Sequence, residues 1–226
     1  MEKEYIVLFD LDGTLVDSTQ AIYASFCKAY MAMNDTPPSL EQVKSGIGHT
    51  LESMFLQNGV EKQKVDEYVG HYRMAYRGLM EQGTHLLAHA KEAIIQAHSF
   101  ATLGVVTTKR GDFSQILLDK LGVWEYFSGI IGIESVKNPK PHAEPILKAL
   151  AMLDKGGEIQ KEKIYMIGDT ILDIEAAKNA EIQAVGVLCG FGKKEEMKKA
   201  QVPLCENTLE AVEWIKQGRK EAKERL

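Results

Sequence analysis

The apolar run Tyr5-Ile6-Val7-Leu8-Phe9 stops abruptly at Asp10-Leu11-Asp12-Gly13-Thr14. A short unbroken apolar run predicts a strand buried on both faces, as in a parallel sheet. Similar runs over 103–107, 129–133, 163–168 and 184–188 predict further strands. Between them, apolar residues recur at three- and four-residue steps. That spacing predicts helices over 86–100, 111–121, 141–153, 172–180, 193–200 and 208–217. Gly122 stands where a helix stop is expected. Strands alternating with helices predict an α/β protein with a doubly wound, mostly parallel sheet.

One stretch interrupts the alternation. No strand signal is evident between Leu15 and Gly83. Ile22, Phe26, Ala29, Tyr30 and Met33 mark an amphipathic helix over 17–33, with Ser18 or Thr19 able to cap its start. Pro37-Pro38 breaks the chain over 34–40. Helices are expected over 50–57 and 62–81, the second with Val65, Val69, Tyr72, Tyr76 and Leu79 on one stripe. A direct strand-to-strand crossover usually needs one helix, so three predict an inserted unit. The expected division is a core of residues 1–15 and 84–226 and a helical cap of 16–83. The charged segment 216–225 reads as a solvated helix end.

Composition narrows the function classes. At 226 residues and a net charge of −5, the chain has no basic footprint for nucleic acid. No apolar run approaches the ~20 residues of a membrane helix. The charged start Met1-Glu2-Lys3-Glu4 leads straight into a strand and does not read as a signal peptide. Cys27, Cys189 and Cys205 are dispersed and odd in number, which reads as reduced thiols of a cytoplasmic protein. A monomer or homodimer is expected.

The candidate chemistry gathers where strands end, the place at which open α/β sheets bind ligands. Asp10 and Asp12, two apart on extended backbone, can converge on one spot. Two such carboxylates repel unless a cation or proton is shared. Gly168-Asp169-Thr170, with Asp173 four residues past Asp169, repeats the design and would place both acids on one helix face if the helix begins there. Asp10, Asp12 and Asp169 would form an oxygen-rich site suited to a hard divalent cation. Thr107, Thr108 and Lys140 also fall at strand ends. A carboxylate nucleophile, a second carboxylate for proton transfer, and a hydroxyl and ammonium for phosphate oxygens are what phosphoryl transfer needs. Each has a plainer reading: Asp-x-Asp as turn residues, Asp173 as a first-turn acid, Thr107 as a strand residue, Lys140 as a loop lysine.

Taken together and in order, Asp10-Leu11-Asp12-Gly13-Thr14, Thr107, Lys140 and Gly168-Asp169 through Asp173 resemble the four signature motifs of the haloacid dehalogenase superfamily. The helical insert resembles that superfamily's small α-helical cap. The resemblance implies Asp10 as nucleophile and Asp12 as general acid/base. It implies Leu11, Thr107, Thr108 and Lys140 at the phosphate, and Mg²⁺ held by Asp10, the Asp12 backbone carbonyl and Asp169. Thr14 and Asp173 would support the site. Phe9 to Asp17, Val105 to Lys109 and Lys140 to Pro145 look most like phosphoglycolate phosphatase and its near relatives, although Thr108 and Gly83-Thr84-His85 depart from their pattern. The expected activity is therefore Mg²⁺-dependent hydrolysis of a small phosphorylated metabolite, first 2-phosphoglycolate. A pyrophosphatase or 5'-nucleotidase is the alternative. A sugar phosphomutase is disfavoured by Ile22, which stands where those enzymes carry histidine. In the cap, His49 could face the phosphate pocket, and Arg73 and Arg77 could clamp a substrate carboxylate. A loop and a solvated helix face read these residues equally well.

Overall fold

The computed structural model describes residues 3–154, 157 and 159–224. In chain order its strands are β1 (Tyr5–Phe9), β2 (Val16–Asp17), β3 (His85–Leu86), β4 (Ala101–Val106), β5 (Gly129–Ile131), β6 (Ile164–Gly168), β7 (Gln183–Val187) and β8 (Leu204–Cys205). Six of them form a sheet in the order β5-β4-β1-β6-β7-β8, with every neighbouring pair parallel. Numbered along the sheet strands alone, this is the doubly wound order in which the chain winds one way from the first strand and then the other. The reversal falls between β1 and β6, and the carboxyl ends of these two strands are where such a sheet binds ligands.

Side-chain alternation explains why β1 is central. All of its residues are buried. Tyr5, Val7 and Phe9 pack into a cluster with Ala93, Ile94 and Ala97 of the helix Ala90–His98 and with Val212 of the last helix. Ile6 and Leu8 pack on the opposite face with Ile146, Ala149, Ile174 and Ala177. A strand covered on both faces has no polar side to alternate, and the unbroken apolar run follows.

The helices are α1 (Thr19–Ala32), α2 (Leu40–Lys44), α3 (Leu51–Gln57), α4 (Val65–Leu79), α5 (Ala90–His98), α6 (Gly111–Lys120), α7 (Glu144–Leu153), α8 (Ile171–Asn179), α9 (Lys194–Lys199) and α10 (Thr208–Glu224). Residues of α1, α3 and α4 gather around their own apolar cluster, which Phe113 and Leu117 of α6 join. Phe26 stacks on Phe55 with ring centroids 4.4 Å apart. The stripe expected on α4 is buried at Val65, Val69, Tyr72 and Tyr76.

Several elements differ from the sequence reading. The segment expected to hold no strand carries β2, which pairs antiparallel with β3 where the chain leaves and re-enters the sheet region. A two-residue ribbon is too short to show a period. The predicted break holds up to Ser39, and the helix that follows it, α2, was not expected; its start is a capping box of Ser39 and Gln42. Helix α1 begins at Thr19 rather than 17, and Ser18 makes no capping bond because its hydroxyl is used elsewhere. Helix α5 begins at Ala90 rather than 86, after His89 adopts a left-handed φ of 64°. His85 lies in β3, His89 precedes α5, and His98 is half-buried with Nδ1 3.0 Å from the Tyr126 carbonyl. Strand β8 also escaped notice, being two residues long. Of the expected charged helix end, Arg225 and the side chains from 219 onward lie outside the described residues, as do Met1 and Glu2 of the chain start. Among the described residues no helix is long and apolar enough to cross a membrane.

Candidate active site

The loop leaving β1 is built by its own backbone. The Leu11 carbonyl accepts from the N–H groups of Leu15 and Val16, and Gly13 N–H donates to the Val16 carbonyl at 2.8 Å. Gly13 takes φ +88°, a conformation that side chains disfavour, and a Cβ there would lie 2.3 Å from Asp169 Oδ2. The loop thus lies directly against the loop leaving β6. Asp10 is fixed by its N–H donating to Ile167 of β6 at 2.9 Å.

Asp10, Asp169 and Asp173 converge, with one carboxylate oxygen from each within 4.8 Å of the others. All three are buried. Lys140 lies among them. Its Nζ donates to Asp10 Oδ1 at 2.8 Å, to Asp173 Oδ1 at 2.6 Å and to the Val106 carbonyl at 3.0 Å. These acceptors match the three N–H bonds of an ammonium. Asp169 accepts from Thr14 Oγ1 and from Phe191 N–H, both at 2.8 Å. Asp173 lies in the first turn of α8, and its Oδ2 accepts from Thr170 N–H and Oγ1. Asp169 precedes that helix, so the two acids meet through the loop rather than by sharing a helix face.

The electrostatics follow from burial. Asp10 is pushed up to about 7, chiefly because burial disfavours its charge; Asp173 and Asp12 add to this and Lys140 opposes it. Burial also raises Asp169 well above the usual carboxylate range, with Asp10 and Asp173 adding repulsion. Fully ionised, the three carboxylates and one ammonium would leave two negative charges in a buried, all-oxygen donor set. That is a fit for a hard divalent cation such as Mg²⁺.

Asp12 stands apart from this cluster. Its carboxylate accepts from the Ser18 hydroxyl and pairs with Lys109 Nζ at 3.0 Å. Lys109 is buried, donates to Tyr76 Oη of α4 at 2.8 Å and lies 4.6 Å from the Tyr76 ring centre. Burial alone would lower its pKa, yet Asp12, Tyr76 and Tyr72 outweigh burial and hold it above the ordinary lysine value.

Of the other expected residues, Thr107 is buried at the end of β4 and its Oγ1 accepts from Lys109 N–H at 3.1 Å. Thr108 commits its hydroxyl to the Gly48 carbonyl at 3.1 Å, tying the β4 loop to the helical insert. Asp12, Thr108 and Lys109 border a cavity between sheet and insert, which His49 and Arg73 also line. Arg73 is paired with Glu52 at 3.4 Å, and Arg77 lies over the Phe113 ring outside that lining. The arginine pair expected to clamp one carboxylate is thus divided between two other partners.

Sequence reasoning missed Lys109, Ser18 and the 189–192 loop. A lysine three residues beyond the end of β4 in an acid-rich site was a readable signal for the first. Gly190 and Gly192 were a readable signal for the third. A Cβ on Gly190 would lie 2.2 Å from Asp169 Oδ2, and one on Gly192 would lie 1.8 Å from the Asp169 carbonyl.

The fold and this acid cluster define a doubly wound α/β protein with a candidate active site at the sheet's switch point. The family model for haloacid dehalogenase-like hydrolases matches residues 7–187, and the chain belongs to that family. It is 30% identical to the probable phosphatase IndB of Dickeya dadantii, over 92% of this chain and 91% of that one. It is 32% identical to the phosphoglycolate phosphatase of Salmonella typhi, over 84% and 83% of the two chains. A haloacid dehalogenase-like hydrolase structure from Streptococcus pneumoniae superposes with a TM-score of 0.82 at 27% identity, covering 93% of this chain and 97% of that one.

Proposed function

We propose that the protein is a Mg²⁺-dependent phosphatase of small organic phosphomonoesters that works through an aspartyl-phosphate. The observation that carries this is the buried set of Asp10, Asp169, Asp173 and Lys140, with Asp12 held separately at the edge of the adjoining cavity. Asp10 and Asp169, with the Asp12 carbonyl, would hold the ion; Asp173 is close enough to take part. A bound Mg²⁺ offsets the charge of the acids and of the phosphate together.

The chain's own residues divide the work. Lys140 grips Asp10 Oδ1, which orients the carboxylate and leaves Oδ2 to attack phosphorus. With all three of its N–H bonds committed, Lys140 serves to aim Asp10, and reaches a phosphate oxygen only by releasing one acceptor. Asp12 enters the cycle carrying a proton taken up from solvent, with Lys109 still beside it, and gives that proton to the departing alkoxide. It then takes a proton from the water that attacks phosphorus and frees Asp10. Ser18 and Lys109 hold Asp12 facing the cavity in which the alcohol part would lie. The helical insert, residues 16–83, acts as the cap that limits water at the site. Among substrates, 2-phosphoglycolate is the first to assay, given the resemblance and the Salmonella relative.

Asp10→Asn tests the scheme. It should remove turnover by at least about a thousandfold while the circular dichroism spectrum and melting temperature stay close to wild type. Turnover near wild type in that variant rejects the covalent route, and turnover indifferent to a chelator rejects the metal.

A further inference from the structure

The cavity beside Asp12 has a volume of about 60 Å³. Ile22, Ile47, Leu51, Met54, Tyr72 and Phe113 form much of its wall. An apolar cavity of ~150 Å³ accommodates benzene, so this one suits a group of a few carbons. The charged side chains on its border are already paired. Arg73 meets Glu52 at 3.4 Å, Arg110 meets Asp112 through two bonds of 2.9 and 2.8 Å, and Lys109 meets Asp12 at 3.0 Å. His49 is exposed at the rim.

A substrate carrying a second negative charge, such as a carboxylate or another phosphate, would meet one of two costs here. It would have to draw Lys109 from its shielded partner or Arg73 or Arg110 from a partly exposed one, or lie unpaired against apolar walls. A short alkyl group faces neither cost and gains by leaving water. Ile22 and Ile47 likewise offer no side-chain polar group to a sugar hydroxyl.

We propose that the site selects phosphomonoesters whose alcohol part is short, uncharged and apolar, in preference to phosphoglycolate or pyrophosphate. This rests on the phosphatase reading above and sets its substrate class. The carboxylate of 2-phosphoglycolate and the isopropyl group of isobutyl phosphate have nearly the same shape, so the pair isolates charge.

With Mg²⁺ present, kcat/KM for isobutyl phosphate should exceed that for 2-phosphoglycolate by at least about tenfold. Leu51→Asn, at the half-buried first position of α3, should raise KM for isobutyl phosphate about fivefold with kcat within about twofold, as lost apolar burial predicts. Equal rates, a preference for 2-phosphoglycolate, or an unmoved KM in Leu51→Asn overturns the proposal. So does hydrolysis of p-nitrophenyl phosphate without hydrolysis of isobutyl phosphate. If isobutyl phosphate, 2-phosphoglycolate and p-nitrophenyl phosphate are all untouched by the wild type with Mg²⁺, it is the phosphatase reading itself that fails.

Discussion

Lys109 binds the Asp12 carboxylate at 3.0 Å while donating to the Tyr76 hydroxyl at 2.8 Å. Asp12 belongs to the β1 loop, Lys109 to the β4 loop and Tyr76 to α4 of the helical insert. One buried ammonium therefore fixes the proposed proton-transfer group relative to both the sheet and the insert. The pair is largely shielded, with side chains 9% and 11% exposed.

Removing one partner of such a pair leaves a buried charge uncompensated. Lys109→Met should lower stability by about 3 kcal/mol, the low end for a broken buried pair. It should lower kcat about a hundredfold, the scale of lost acid–base assistance. The double variant Lys109→Met/Asp12→Asn should regain much of the stability but none of the rate. Urea unfolding and steady-state kinetics on the cycle check this. Additive stability losses would show that the pair contributes no coupling.

The acid cluster makes stability depend on pH and metal together. Asp10 rises from its unfolded value near 3.8 to about 7 in the folded chain, so the folded state holds its proton longer. Without metal, folding stability should therefore be greatest below about pH 4 with respect to this group and decline as pH rises towards 7. Asp169 is raised too and adds in the same direction. Melting in chelator should shift downward between pH 5 and pH 7.5, roughly the range in which these groups ionise. Saturating Mg²⁺ should remove the decline and raise stability by ~2–3 kcal/mol at a hundredfold excess over Kd. A melting temperature blind to Mg²⁺ at pH 7.5 would count against the cation.

Much of this site was legible in the sequence because its acids sit where apolar runs stop. The runs that became β1 and β6 name Asp10 and Asp169 directly. Asp173 announced itself four residues later, although the geometry that joins it to Asp169 is a loop and not a helix face. Lys140 could be named but not aimed, because nothing local fixes a lysine between prolines against acids 130 and 33 residues away. Lys109 could have been noticed by its place just past a strand end, but for the same reason its partners could not be named. Its partners lie in the β1 loop and on α4, and a long-range pair leaves no period. The two-residue strands β2, β3 and β8 exist through their pairing alone, and α2 was masked by nearby prolines although Ser39 and Gln42 spelled its cap.

The loop that carries Lys140 has an acid-sensitive fastening. Glu144 accepts from the N–H groups of Lys137 at 3.0 Å and Asn138 at 2.9 Å, from the Asn138 side chain, and from Lys148. These bonds, led by that of Lys137, lower Glu144 to about 2. A depressed carboxylate contributes stability that is present above its unfolded value near 4.5 and lost as pH falls towards 2. Glu144→Gln should therefore melt lower than wild type at pH 6, and the gap should close as pH falls from 4.5 to 2. Because the loop also aims Lys140, kcat should fall about threefold to tenfold at pH 7, in line with a small misplacement of an aimed group. A gap that persists at pH 2 would show that charge is not the cause.

Two glycines separate backbone strain from damage to the site. Gly13 and Gly59 both hold left-handed backbone, at φ +88° and +87°. Around Gly59 nothing lies within 4 Å of an added Cβ, whereas at Gly13 it would stand 2.3 Å from Asp169 Oδ2 and 2.7 Å from the Phe191 ring. Gly59→Ala should therefore lose about 1 kcal/mol, the cost of placing a side chain in this conformation, with kcat and Mg²⁺ dependence unchanged. Gly13→Ala bears the same cost and must also push Asp169 away from Thr14 and Phe191. Its apparent Mg²⁺ affinity should fall at least about tenfold, as for loss of a residue that orients a metal ligand. Calorimetric Mg²⁺ titration of the two variants decides the point. Equal affinities in Gly13→Ala and Gly59→Ala would mean that Asp169 does not hold the ion.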